Sequence, residues 1–137
     1  MITHFQFTDD EFEQKFEKCE LSPELFTHEA HLRLAWIHIN KYGIQNALTN
    51  ILQQIQDYVN NLGVTDKYNM TLTTAAVKAV HHFNLKSESD TFMAFTQEFP
   101  RLLTNFKDLI NTHYSFDIFD SYHAKTIFLE PDLLPFD

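Results

Sequence analysis

Glycine and proline are nearly missing from this sequence, with 2 Gly and 4 Pro among 137 residues. Sheet proteins rich in tight turns need more of both, because turns with positive φ call for Gly or Asn. The scarcity argues against a turn-dense β architecture and favours long helices joined by short polar links. Cysteine is missing too, apart from Cys19. A lone cysteine excludes an intramolecular disulfide and an oxidised, secreted framework. Basic charge is short: Lys+Arg number 10 against 19 Asp+Glu, a formal charge of −9. Nucleic acid is bound through a basic stripe, and no cluster of Lys or Arg occurs here, so a nucleic-acid partner is not expected. Docking on anionic lipid is disfavoured for the same reason. No apolar run approaches the ~20 residues of a membrane span. The opening residues, Met1–Asp10, lack the basic and apolar regions of a signal peptide. These absences together predict a cytoplasmic protein.

What is present is aromatic. Fourteen Phe and 5 Tyr stand against one Trp, so the core is expected to be filled largely by rings. A chain this long forms one domain, here residues 1–137, and buries roughly two-thirds of its unfolded surface. The Phe surplus also makes a homodimer plausible, because a small domain has trouble hiding so many rings. Eight His make the charge sensitive to pH: protonating all of them takes −9 to −1 (−9 + 8).

The expected architecture is all-α, a compact bundle of about six helices with an extended C-terminal tail. Thr8 and Glu11 are spaced as a capping box, and Phe12, Phe16 and Cys19 follow on one helical face. Cys19 on that face reads as a packed thiol rather than a reactive one. Ser22-Pro23-Glu24 starts a short turn. Thr27 then caps a helix over His28–Tyr42, which Gly43 closes. That helix is apolar on most sides and should be central. Ile44–Leu62 is the cleanest amphipathic stretch and should return as a hairpin, ending at Gly63. Val64–Tyr68 reads as a polar connection. A helix is expected over Met70–Phe83, with Ser87, Ser89 or Asp90 capping the next one. Thr91–Phe99 and Arg101–Tyr114 read as two helices hinged at Pro100, and Ser121–Phe128 as a last short one. Glu130–Asp137, with two prolines and large apolar residues, reads as a tail strapped over its own core or seated in a partner's groove.

The chemistry concentrates in the His28–Tyr42 helix. His28, His31 and His38 share a face, with Ala35 leaving space between them. Two imidazoles one turn apart can hold a divalent metal if a third ligand arrives, and His81, His82 and Glu24 are candidates. His38 lies roughly 10 Å beyond His31, too far for the same ion. Glu29 points about 100° away from His28, which suits an acid–base group better than a ligand. No established zinc or di-iron signature is present. Arg33 is costly on an apolar helix unless paired; its fork suits an anionic ligand or, at i−4, Glu29. Tyr68, Asn69, Thr71, Thr73 and Thr74 gather at the next helix start, as an anion-binding end or as ordinary caps.

Three segments carry a family resemblance: Thr27-His28-Glu29-Ala30-His31-Leu32-Arg33-Leu34-Ala35-Trp36, then Tyr68-Asn69-Met70-Thr71-Leu72-Thr73, then Glu130-Pro131-Asp132-Leu133-Leu134-Pro135. They resemble a widespread family of small uncharacterised bacterial helical proteins reading Thr-His-x-Ala-His-Leu-Arg-x-Ala-Trp, Tyr-His-x-Thr and Pro-Asp-Leu-x-Pro. The resemblance implies a shared polar set of His28, His31, Arg33 and Tyr68, and no particular reaction. This chain departs from it at Asn69, where the pattern has His. An amide is a poor zinc ligand, so a small-molecule site survives that change better than a metal site.

Three functions remain open. The first is a small-molecule site, with an anionic ligand favoured, in which His28, His31 and Glu29 do acid–base work and Arg33, Tyr68, Asn69 and Thr71 bind. The second is an interaction or regulatory protein without catalysis. The third is a metal-dependent helical-bundle enzyme built on His28 and His31. No serine has a matched base and Cys19 lies on a core face, so covalent catalysis is not expected.

Overall fold

Thr8 does what its spacing predicts. Its hydroxyl accepts from the Glu11 amide at 3.2 Å, and the Glu11 carboxylate accepts from the Thr8 amide at 2.9 Å. That reciprocal cap starts α1 (Asp9–Glu17), the first of eight α-helices among the described residues, which are 3–64, 66 and 68–136 of a computed structural model. No strand occurs among them, so the fold is all-helical. No helix among them is long and apolar enough to cross a membrane. Thr65 and Lys67 of the expected Val64–Tyr68 connection lie outside the described residues, as do Met1, Ile2 and Asp137. The chain divides into two compact units, Met1–Tyr68 and Asn69–Asp137.

In the first unit, α1 stops at Glu17, so Cys19 leaves the helical face on which its spacing had placed it. Cys19 adopts the left-handed conformation (φ 59°), and the Glu20 amide bonds back to the Lys15 carbonyl at 2.7 Å. This is a Schellman stop made without the usual glycine. A 3-10 turn over Pro23–Leu25 precedes Thr27, whose hydroxyl caps α2 (His28–Tyr42) through the Ala30 amide. Gly43 alone links α2 to α3 (Ile44–Leu62), so α3 folds back along α2, and α1 packs on both. Phe12 and Phe16, Leu32, Leu34 and Ile37, and Ile51 and Ile55 supply the apolar interior. Phe16 packs on Tyr58 at 4.7 Å, and the Tyr58 hydroxyl donates to the Leu21 carbonyl.

In the second unit, Asn69 caps α4 (Met70–Asn84). Thr91, rather than Ser87, Ser89 or Asp90, caps α5 (Phe92–Glu98); Ser87 and Ser89 instead donate to the Glu98 carboxylate. The stretch expected as one helix over 101–114 breaks into α6 (Arg101–Thr104) and α7 (Phe106–Asn111). The two are separated by Asn105, whose backbone (φ −133°, ψ 33°) lies outside the helical region. The final helix, α8 (Tyr122–Thr126), packs on α4. The tail folds over its own unit. Phe136 is buried in a cluster with Ala75, Ile110, Tyr114, Ile118 and Ala124. The Leu133 amide donates to the His113 carbonyl, and Asp132 accepts from both the amide and the hydroxyl of Ser115.

Candidate functional site

The N-terminal turn of α2 carries two exposed histidines. His28 is the first helical residue and His31 follows one turn on. The His31 ring lies against Phe26, with centroids 3.8 Å apart, and Phe26 rests on Phe16 and Tyr58. Tilted and edge-on ring contacts therefore support the imidazole from the protein side. His31 keeps solvent-accessible surface, yet the protein around its ring removes enough water to disfavour the charged form. That desolvation, helped by His28 nearby, pushes His31 down to about 4. At neutral pH it is an uncharged ring with one donor and one acceptor nitrogen.

Arg33 faces the opposite way from an open fork. All five of its N–H groups have acceptors in the N-terminal segment. Nε and Nη2 bond to Asp9 Oδ1 at 3.1 and 2.9 Å, Nη2 also to the Phe7 carbonyl, and Nη1 to the His4 carbonyl and His4 Nδ1. The guanidinium also lies over the rings of Phe5 and Phe12. Because arginine can only donate, His4 Nδ1 must accept, which assigns the His4 proton to Nε2. Nε2 in turn donates to Glu29 Oε1 at 2.8 Å. Burial lowers the His4 pKa despite Glu29 beside it, consistent with that neutral tautomer. The result is a chain of groups, Glu29–His4–Arg33–Asp9. Glu29 and Arg33, expected as a possible direct pair, are joined through a histidine that sequence reasoning did not single out. His4 and Asp9 lie 29 and 24 positions from Arg33, and no spacing rule reaches that far.

The other nominated residues sit in separate surroundings. His38 is buried; Nδ1 faces the Asn50 amide at 3.4 Å, and Nε2 has no hydrogen-bond partner among the described residues. Desolvation lowers its pKa against the pull of Glu13. Burial pushes Glu13 upward, but hydrogen bonds from Lys41 and Tyr42 outweigh it, so its carboxyl titrates below the ordinary range. Tyr68 is half-buried, and burial raises its hydroxyl. Asn69 is buried and committed: Oδ1 caps the Leu72 amide, and Nδ2 donates to the Ile118 carbonyl at 2.8 Å. Thr71 is equally engaged, donating to the Ile127 carbonyl and accepting from the Leu129 amide. Both tie the start of α4 to the segment leading into the tail.

Among the described residues, no group of three His, Cys, Asp or Glu side chains converges as a metal site would require. Glu24 does not join His28 on one helical face, because the chain leaves helical geometry at Phe26 and Thr27 and α2 starts at His28. No protein-family model matches this chain, nor does any curated protein or any solved structure.

Proposed function

We propose that this chain binds a small organic molecule at the His28–His31 edge of α2 and that any acid–base chemistry occurs there. The observation that carries this reading is His31, an exposed imidazole packed against Phe26 one helical turn from His28. A ring titrating near 4 is a poor general base at neutral pH but a good fixed hydrogen-bond partner. Proton transfer then falls to His28 or Glu29. Glu29 is oriented by His4, and Arg33 acts as the residue that orients His4. With Arg33 committed, the site offers hydrogen bonds more than positive charge, and His28 is the group that would meet an anionic end of the ligand. The resemblance to small bacterial helical proteins points the same way, since its longest segment contains both histidines. We place the protein in the cytoplasm on the strength of its single cysteine, which allows no intramolecular disulfide.

The test is a thermal-shift screen of small acids, alcohols and amides, followed by histidine-ring nitrogen spectra with each hit. A hit that moves the His31 nitrogens and is lost in His31→Ala and His28→Ala supports the site. Hits that bind both variants as well as the parent overturn it. Divalent metal belongs in the same screen, read by mass spectrometry of the untagged protein.

A second reading is favoured by exposed apolar side chains in the second unit, where Tyr122 is 81% exposed and Leu133 and Leu134 are more than half exposed. Self-association through that surface would make the chain a homodimer, which light scattering on Tyr122→Ser would detect as a shift to monomer.

A further inference from the structure

The second unit holds a partly enclosed cavity of about 160 Å³ under its C-terminal tail, and of the residues nominated from the sequence it uses His82 alone. Its walls are the side chains of Phe83, Leu109, Ile110 and Phe136, with His82 and His113 as the polar members. Among the described residues no Lys, Arg, Asp or Glu lines it, so a charged ligand would lose its hydration without a counter-charge from them. Apolar cavities of about 150 Å³ are large enough to take up benzene. Size and lining therefore select a single small ring.

His113 adds direction. Its Nδ1 lies 2.8 Å from the Leu134 carbonyl, which can only accept, so the bond assigns the proton to Nδ1. In the neutral ring, Nε2 is then an acceptor. The same ring stacks on Phe136 at 4.1 Å, which makes the wall of the cavity and the strap one packed unit. We infer that this cavity binds a small neutral aromatic molecule carrying one hydroxyl or N–H, of the phenol class. The ring sits among Phe83, Leu109, Ile110 and Phe136, and the donor is directed to His113. This goes beyond the α2 reading and uses none of its residues.

The experiment is titration of the full chain with phenol to about 10 mM, followed by amide chemical shifts, with toluene and benzoate as comparisons. Phenol is expected to shift residues 79–83, 109–113 and 133–136, with benzoate at least about tenfold weaker. Ala79 also lines the cavity, and Ala79→Leu fills it, so phenol affinity should fall by roughly tenfold or more. If that variant does not fold, Ala79→Val is the replacement, with a smaller loss in the same direction. His113→Phe keeps the stack on Phe136 and removes the acceptor, so the preference for phenol over toluene should shrink roughly three- to tenfold. Scattered or absent shifts, or unchanged affinity in the filled variant, would overturn the proposal.

Discussion

Arginine at position 33 shows how one side chain can organise a segment far away in sequence. Its planar fork meets a carboxylate, an imidazole and two carbonyls at once, and lysine can offer only three donors from a single point. Arg33→Lys therefore leaves several acceptors without partners in a site where Arg33 is 4% exposed. The expected loss is about 3 kcal/mol, toward the low end for a broken buried ion pair because Asp9 is half exposed. Urea unfolding of the variant checks this, and a change below about 0.5 kcal/mol would mean the N-terminal segment is held by its phenylalanines alone. The histidines obey a similar local logic. The same residue type is an accessible, uncharged ring at His31, an accepting relay at His4 and a buried ring at His38, because neighbours rather than identity decide each role.

At the scale of elements, the caps are where sequence and structure meet most directly. Thr8, Thr27, Asn69, Thr91 and Ser121 each accept from an amide in the first turn of a helix. The two glycines then perform different tasks. Gly43 combines φ +84° with ψ 163°, a region that only glycine enters without strain, and this lets α3 start one residue after α2 ends. Gly63 has φ +74° and ψ 25°, the left-handed helical conformation of an ordinary stop. A methyl group at either would meet open space, so only the backbone matters. Gly43→Ala should cost about 2 kcal/mol and Gly63→Ala about 1 kcal/mol. Thermal unfolding of the two variants measures the order, and the reverse order would refute this account of the hairpin.

For the molecule as a whole, the consequence is pH dependence. Eight ordinary histidines would bring the charge from −9 to −1, but His4, His31 and His38 all titrate below the usual 6.5. Below 6.5 the unfolded chain binds protons on these rings that the folded chain refuses. Their contribution to stability is intact above 6.5 and is lost as pH falls toward the folded values, about 4 for His31. Glu13, lowered in the fold, adds a loss in the same direction, below its ordinary 4.5. The urea midpoint should therefore decline from pH 7 to pH 5, and His31→Asn should flatten the decline. A midpoint that rises over that range would contradict the lowered values.

The amino-acid sequence alone determined the helical class, the hairpin and the caps at Thr8 and Thr27, though not the cap of α5. Those features depend on residues a few positions apart, where periodicity and capping rules act. It also marked α2 as a largely buried helix, since apolar residues on most faces leave little of it for water, and residues 32–39 are buried. Only the tertiary structure decided what the polar residues do. Arg33 found Asp9 and His4, and Asn69 and Thr71 found carbonyls near the tail. Each outcome depended on which acceptor lay within about 3 Å once the chain had folded, and hydrogen bonds of that reach join residues without regard to their spacing in sequence.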